Sequence, residues 1–526
     1  MHTDALQLYS LSKSALEQNK IQSAIDACRT LNSQFPDFFE GWWLAGCIHL
    51  RLKKPQAGLI STSKALSIKP NQPHILIQRI EFLSLLEEYH EAKEVLKILA
   101  EQKIDDTNLH ADIAIMLSAE EMHESAIQHY LDALKKAPKD PLLHYNLAAA
   151  YRFVGDIRKC EESLNKCIRI NYLDADAQSM RSSLRKQSKK NNHIEELSKA
   201  LGDPKISESA KSGICYAIAK EFDDIDSIEQ SFYYLKQGSN TRRTSMTYDV
   251  KNDEEIMDSI ARVFDSKSFT EPAVIRSGIQ PIFIIGLPRT GTTLLERIMD
   301  CHSQIKSRGE LDIFGIEMAK ELSSHNSHSN LSALDMINLS NTMNLDTLAD
   351  RYLRKASPED FSGRYFIDKL PFNFLYAGLI HLTFPKAKII NLTRHPLASC
   401  MAMYRQQFRD IYPFSYDLKD LGRYFVAYSR LMSHWHSVMP GVIHSVSYEQ
   451  VVMDTEREIR QVLEFCQLGW EPQCLQFHEN KAPSTTASAT QVRQPVYSRS
   501  LDRWKKYTSY LDELTTILVK AGIDVQ

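Results

Sequence analysis

Small residues recur every 34 positions through the first third of the chain, and this spacing constrains the fold more than any other feature. The recurring small residues are Ala24, Gly58, Ala92, Ala126 and Cys160. Seven positions after each of them stand Leu31, Ala65, Leu99, Ala133 and Cys167. A fixed period of this length is typical of stacked helical repeats, in which each unit buries its apolar face against the next. Five such units are predicted between roughly Asp4 and Asp174.

The repeat resembles the tetratricopeptide repeat, which has a period of 34 residues. Proline stands at the same place in three units, at Pro36, Pro70 and Pro138, where it ends the second helix of the unit. The resemblance implies an all-α superhelix with a concave face that docks a peptide or protein. A scaffold or a dimerisation surface is the alternative role for such an array.

Composition limits the classes of protein that the whole chain fits. Its 526 residues are enough for two or three domains, and 43% apolar with 25% charged residues is typical of globular proteins. A net charge of −3 gives no indication of a nucleic-acid binder. The nine cysteines are scattered and the sequence shows no secretory signal pattern, which predicts a cytoplasmic protein. No run of ~18 apolar residues occurs, so no membrane span is predicted.

The sequence predicts three segments. Residues 4–174 form the array, and residues 175–270 form a helical extension or linker with the character of a degenerate repeat. Residues 271–526 form an α/β domain with a mostly parallel sheet, because strong strand patterns begin there and alternate with helical ones.

The stretch PIFIIGLPRTGTTLLERIM reads as a strand, a glycine loop and a helix. Gly286 and Gly291 have the spacing of a phosphate-binding loop, but Thr292 stands where such loops carry lysine. Arg289 offers a planar fork of donors to an anion instead. A kinase or NTPase would also need an aspartate for Mg²⁺ after a later strand, and the strand AKIINLTRHP ends in Arg394. The sequence therefore predicts an anion site built from arginines, with no metal.

GLPRTGTTLLE and TRHPLASC together resemble the sulfotransferase superfamily, whose donor is 3′-phosphoadenosine 5′-phosphosulfate. The resemblance assigns the phosphosulfate to the loop residues Arg289, Thr290, Gly291, Thr292 and Thr293. It assigns the 3′-phosphate to Arg394 and to a serine eight residues later, where this chain has Ala402. Ser399, one helical turn earlier, is the expected substitute, and Arg405 is a further candidate.

The order of repeats and catalytic domain resembles the bacterial tetratricopeptide-repeat sulfotransferases, and parts of the domain are similar to tyrosylprotein sulfotransferases. That likeness implies Glu310 as the base, with His302 as a weaker alternative. It implies Lys369 near the bridging oxygen, although an ion pair of Lys369 with Asp368 is the structural alternative. The remaining residues that it implies are Ser488 at the sulfuryl group, Tyr448 at the nucleotide, and Arg493 and Arg503 as additional charges near it.

The resemblance implies transfer of a sulfuryl group to an acceptor hydroxyl docked by the array. Protein tyrosine is one candidate acceptor, and carbohydrate or lipid hydroxyls stay open. Two alternatives compete with this interpretation. One is a catalytically weak or inactive protein-binding module, for which Ala402 is the main argument, and the other is a nucleotide-dependent kinase.

Overall fold

The computed structural model describes residues 2–102, 104, 106–270, 278–325, 331–358, 361–408, 411–479 and 501–526. The chain divides into two compact units, Met1–Tyr172 and Leu173–Gln526. The three-segment division of the chain by residue number stays a prediction. No helix within these described ranges combines the length and the hydropathy needed to cross a lipid bilayer.

The described residues of the first unit form a row of ten α-helices that pack as five successive hairpins. They are α1 (His2–Glu17), α2 (Ile21–Gln34), α3 (Phe39–Arg51), α4 (Pro55–Ile68), α5 (Pro73–Leu85), α6 (Tyr89–Ala100), α7 (Thr107–Ala119), α8 (His123–Lys136), α9 (Pro141–Val154) and α10 (Ile157–Ile170). The small residues spaced by 34 lie buried where the helices meet. At Gly58 a Cβ would stand 2.1 Å from the Phe82 ring, so only glycine allows α4 and α5 to approach this closely.

The second unit begins with helices and continues into an α/β layer. Its first helices are α11 (Ala175–Ser183), α12 (Ile194–Leu201), α13 (Glu208–Asp224), α14 (Ile228–Thr244) and α15 (Val250–Val263). Helices α13 and α14 pack along each other, and α15 packs on a long helix of the α/β layer. The helical extension is therefore part of the same compact unit as the sheet.

Among the residues that the structure describes in this unit, five parallel strands form one sheet in the order β2-β3-β1-β4-β5. The strands are β1 (Gln280–Gly286), β2 (Ile305–Ser307), β3 (Tyr365–Asp368), β4 (Lys388–Thr393) and β5 (Ile443–Ser447). The helices among and after them are α16 (Thr292–Met299), α17 (Ile313–His325), α18 (Ala333–Leu339), α19 (Leu345–Ala356), α20 (Ala377–Thr383), α21 (Pro396–Tyr404), α22 (Leu418–Val438), α23 (Tyr448–Met453), α24 (Thr455–Phe465) and α25 (Asp512–Lys520). Apolar residues cover both faces of the sheet, as expected for a parallel sheet.

The strand order places the site. The chain leaves β1 at the centre of the sheet, and its neighbours are β3 on one side and β4 on the other. The strand order therefore reverses around β1, and the loops at the carboxyl ends of these strands converge. This confirms the predicted architecture of a helical repeat region followed by an α/β domain with a parallel sheet.

Candidate active site

The glycine loop lies between β1 and α16, where the sequence predicts it. Gly286 has φ +147°, and a Cβ there would stand 2.7 Å from the carbonyl oxygen of Leu392 on β4. Gly291 caps α16 with φ +102°, and a Cβ there would stand 2.4 Å from the ring of Tyr448. Both positions require glycine, because a side chain would collide with a neighbouring strand end or its loop. The loop backbone therefore has the close-packed form that phosphate loops need.

The predicted loop residues take different places. Arg289 has a left-handed backbone at φ +66°, which turns the chain sharply at the loop tip. The hydroxyl of Thr290 donates to the carbonyl of Leu287 at 2.8 Å, so it stabilises the turn. Thr292 and Thr293 are buried in the first turn of α16. The helix N-terminus at these threonines favours an anion through its partial positive charge.

Arg394 and Tyr448 join this loop from two other strands. The guanidinium of Arg394 donates to the carbonyl oxygen of Arg289 at 2.9 Å and lies over the Tyr448 ring at 4.6 Å. The structure thus brings together the ends of β1, β4 and β5. An arginine and an aromatic ring beside a glycine loop are suited to a phosphorylated nucleotide.

Ser399 lies in the second turn of α21, and its side chain is fully buried. Its hydroxyl has no hydrogen-bond partner among the described residues. Ala402, three positions later, is only partly buried. The role of Ser399 as the substitute serine stays a prediction.

Glu310 and Lys369 form an ion pair that lies against α16, the helix that follows the loop. The ammonium of Lys369 donates to the carboxylate of Glu310 at 2.5 Å, and the backbone N–H of Lys369 donates to the carbonyl of Gly309 at 2.8 Å. Lys369 is fully buried, whereas 44% of the Glu310 side chain is exposed. The carboxylate therefore covers a buried cation and faces solvent with its other side. This combination presents a base and a positive charge at one place.

The alternative ion pair between Lys369 and Asp368 is absent. Asp368 ends β3 and accepts a hydrogen bond from the Tyr352 hydroxyl at 2.8 Å. Successive residues at a strand end point to opposite faces, so the two neighbours reach different partners. Burial raises the pKa of Asp368 to about 7, against the opposing effect of the Tyr352 hydrogen bond.

Glu296 on α16 is a charged site residue that the sequence did not indicate. One carboxylate oxygen accepts from the Ser307 hydroxyl at 2.6 Å, and the other lies 3.6 Å from the Lys369 ammonium. Burial raises the pKa of Glu296, and the nearby Lys369 charge opposes this. A glutamate in the helical stretch TLLERIM has the pattern of a surface charge, so only the fold reveals this contact.

Glu449 is a second such residue, and it ties the ends of β4 and β5. Its carboxylate accepts from the backbone N–H of His395 at 2.9 Å and from the Ser447 hydroxyl at 2.9 Å. The ring of His395 stacks on Trp504 with 4.5 Å between the ring centres. These contacts fix the start of α21, and with it the position of Arg394 directly before it.

Three weaker candidates have partners that are not part of the predicted site. Arg405 and Arg503 both form ion pairs with the buried carboxylate of Asp223 on α13, so their charges tie the helical extension to the α/β layer. His302 lies 2.9 Å from the carbonyl of Gly469 and is buried at the end of α16. Ser488 and Arg493 lie outside the described residues.

Over the part of the chain that the structure describes, no three His, Cys, Asp or Glu side chains gather into a group that could hold a metal ion.

Comparison with known proteins gives one family match in each of the two compact units. Residues 281–472 match the sulfotransferase family, and residues 142–172 match the tetratricopeptide repeat. A protein from Aquifex aeolicus is 29% identical over 62% of this chain. The aligned part covers 44% of the length of that protein. A putative protein-tyrosine sulfotransferase from Caenorhabditis briggsae is 25% identical over 47% of this chain and 89% of its own length.

Among solved structures, the sulfotransferase domain of the Synechococcus PCC 7002 olefin synthase aligns with a TM-score of 0.35 at 20% identity, over 49% of this chain and all of that domain. By these family matches, the chain is similar to the sulfotransferase family over residues 281–472 and to the tetratricopeptide repeat over residues 142–172.

Proposed function

We propose that this protein transfers a sulfuryl group from 3′-phosphoadenosine 5′-phosphosulfate to an acceptor hydroxyl. The observation that carries the proposal is the half-exposed carboxylate of Glu310 bound to the fully buried ammonium of Lys369, which also lies 3.6 Å from Glu296 on the helix that follows the glycine loop. In-line transfer needs a base for the hydroxyl and positive charge for the departing phosphate. Glu310 serves as the base and Lys369 supplies the charge.

The donor fits the loop and its neighbours. The turn around Gly286, Arg289 and Gly291 and the N-terminus of α16 form a cradle for the phosphosulfate. Arg394 binds the 3′-phosphate, and Tyr448 contacts the nucleotide. Ser488 contacts the sulfuryl group in this proposal.

Protein tyrosine is the favoured acceptor. Several relatives of 22–27% identity are named protein-tyrosine sulfotransferases, including the human enzyme 1, which is 27% identical over 46% of this chain. A glutamate base suits a phenolic hydroxyl, whose proton is already acidic compared with that of an alcohol.

The array docks the acceptor protein in this proposal. A groove of about 500 Å³ on the array is lined by apolar residues that include Leu50, Ile80 and Leu85, together with the carboxylate of Glu81. Burial raises the pKa of Glu81, and the charge of Asp112 raises it further. The groove therefore fits an acceptor segment that carries a lysine or arginine beside an apolar side chain, because that cation would relieve the crowded negative charge.

The test is calorimetric titration of the purified protein with 3′-phosphoadenosine 5′-phosphate in the absence of metal, with ATP and Mg²⁺ as the control. We expect micromolar binding of the bisphosphate alone, followed by sulfuryl transfer to tyrosine peptides when the donor is supplied. Binding of ATP and Mg²⁺ with no binding of the bisphosphate would favour the kinase alternative. Absence of both would favour a protein-binding module.

A further inference from the structure

Glu296 is the only carboxylate besides Glu310 that the described residues place within 4 Å of the Lys369 ammonium, and nothing in the proposed reaction uses it. It is 6% exposed, so its charge is separated from water by the packing around α16. Keeping a buried carboxylate costs stability unless a partner compensates it. A charge held at this cost beside a reacting centre is a candidate for a role in the reaction.

The charges around Lys369 change during sulfuryl transfer. The acceptor oxygen forms a bond to sulfur, and the bond from sulfur to the bridging oxygen breaks. The electron pair of that bond goes to the departing phosphate. The hydroxyl proton goes to Glu310, which then no longer carries the charge that compensates the buried ammonium. From that moment Glu296 is the carboxylate that still compensates Lys369.

We propose that Glu296 is a positioning residue that compensates the charge of Lys369 and holds its ammonium in place while Glu310 takes up the acceptor proton. This inference rests on the proposed function. Without a second carboxylate, neutralising Glu310 before negative charge has developed on the departing phosphate would leave a fully buried cation uncompensated. Proton uptake by Glu310 would then be disfavoured, which makes it a weaker base.

A second contact links Glu296 to the loop that carries Glu310. The Ser307 hydroxyl donates to Glu296 at 2.6 Å and accepts from the backbone N–H of Gly309 at 3.1 Å. The carbonyl of Gly309 in turn accepts from the backbone N–H of Lys369 at 2.8 Å. Glu296 thus contacts the ammonium directly and fixes the turn before Glu310 through one hydroxyl.

The other charged groups near Glu296 are few among the described residues. Lys369 and Glu310 face it from the ends of β3 and the loop after β2, and Arg297 is its neighbour on α16. Asp300, one turn along α16, accepts from the backbone N–H of Ser307 at 2.7 Å and so acts on the same turn. Lys369 and Glu310 are therefore the charged groups that a change at Glu296 would affect most directly.

The experiment compares Glu296→Gln and Glu296→Asp with the full-length wild-type protein. Glutamine keeps an oxygen for the Ser307 hydroxyl but removes the charge, whereas aspartate keeps the charge and shortens the reach. Glu317→Gln is the matched control, because Glu317 is also a buried carboxylate that accepts from a lysine, Lys355, at 2.7 Å. Each variant is measured for bisphosphate affinity, thermal unfolding, kcat with a tyrosine peptide, and the pH profile of kcat/KM.

We expect Glu296→Gln to lower kcat by about tenfold or more, with bisphosphate affinity within about threefold of wild type. The acidic limb of its kcat/KM profile moves to lower pH, since the negative charge that Glu296 places beside the base is gone. Glu296→Asp keeps the limb at the wild-type pH. Glu317→Gln changes thermal unfolding but neither kcat nor the limb.

Two results overturn the inference in distinguishable ways. A wild-type protein that binds the bisphosphate and transfers, with a Glu296→Gln variant equal to it in kcat and in the acidic limb, overturns the role of Glu296 alone. A wild-type protein that neither binds the bisphosphate nor transfers overturns the proposed function, and the inference falls with it.

Discussion

The contacts that stabilise each of the two compact units differ in kind. In the array, each helix packs mainly on helices that are adjacent in sequence, such as α3 on α4 and α4 on α5. In the α/β unit, the candidate site joins segments that are far apart, since Arg394 contacts a residue 105 positions earlier and Lys369 contacts one 59 positions earlier. A change in the array should therefore act locally on stability or docking, whereas a change at the site should act on chemistry.

This difference predicts the consequences of single substitutions. A repeat array is stabilised by interactions within and between neighbouring units, so a lost contact weakens one neighbourhood. The site depends on groups whose positions the sheet fixes, so a lost charge leaves the sheet intact but removes a catalytic contribution.

The largest effect is expected from Glu310→Gln. Loss of a general base typically costs about 10²- to 10⁴-fold in rate, so kcat should fall by that order. The change in unfolding free energy should stay below about 1 kcal/mol, because the Glu310 side chain is 44% exposed and Glu296 still compensates the buried Lys369 ammonium in the variant. Steady-state kinetics and thermal unfolding check both statements.

Glu456→Gln, on α24, is the matched control for Glu310→Gln. Its side chain is 48% exposed and its carboxylate pairs with Arg460 at 2.6 Å, so exposure and charge loss are comparable. This variant should keep wild-type kcat. A Glu310→Gln variant with normal turnover would remove Glu310 as the base.

In the array, Gly58→Val should act on stability and leave chemistry intact. A Cβ at this position would collide with the buried Phe82 ring, and overpacking of this kind costs about 1–3 kcal/mol. Thermal unfolding should shift accordingly, while kcat with a short tyrosine peptide stays unchanged. Gly202→Ala is the control, because a Cβ there meets nothing closer than 3.6 Å. A large loss of kcat in Gly58→Val would contradict the division between the units.

The same difference explains how far the sequence could be interpreted. The hairpins of the array follow from small residues at a fixed period, because each contact is local and repeats. The strand, glycine loop and helix from Pro281 to Met299 also appear as one continuous pattern. Such features are visible in sequence because their physical cause lies within a few tens of residues.

The parts that sequence could not predict depend on distant partners. Glu296 reaches Lys369 only after β3 is placed next to β1, and its neighbours in sequence give no indication of burial. Arg405 and Arg503 have plausible positions for a nucleotide site, but Asp223 on a helix about 180 and 280 residues earlier accepts both. The sequence shows which charged residues the chain contains, but only the fold determines which carboxylate each of them contacts.

Asp368→Asn tests the core of the α/β unit through pH. The folded pKa of Asp368 is about 7 because of burial, above the value of about 4 for an unfolded chain. Between these values the folded state binds more protons than the unfolded state, so the unfolding free energy falls as pH rises. Asparagine does not titrate, so the variant lacks this decline.

Denaturant unfolding at pH 5 and pH 8 measures this difference. The variant should therefore gain stability relative to wild type as pH rises. The unfolding free energy of Asp368→Asn minus that of wild type should be about 2 kcal/mol larger at pH 8 than at pH 5. Asparagine can still accept from the Tyr352 hydroxyl, so this hydrogen bond is preserved in both measurements. An equal difference at both pH values would contradict the raised pKa.

Glu81→Lys tests docking by the array. A positive charge in the groove near Asp112 should repel a cationic acceptor segment, raising KM for a protein acceptor about tenfold while kcat is unchanged. Glu162→Lys is the control, since the Glu162 side chain on α10 is 57% exposed and outside the groove lining. A lowered kcat with an unchanged KM would mean that the substitution acts on the chemical step. That result would contradict the expectation that changes in the array affect only stability or docking.

The smallest effect is expected from Ala402→Ser, which adds one hydroxyl on α21, eight residues after Arg394. Ala402 is partly exposed, whereas the Ser399 hydroxyl is fully buried, so the new group is better placed to meet a 3′-phosphate. One hydrogen bond contributes about 0.5–1.5 kcal/mol, so bisphosphate affinity should rise about two- to tenfold. Adenosine 5′-phosphate, which lacks the 3′-phosphate, should show no gain. A gain for both nucleotides would mean that the hydroxyl acts through the helix rather than on the phosphate, and no gain for either would place the 3′-phosphate away from this turn of α21.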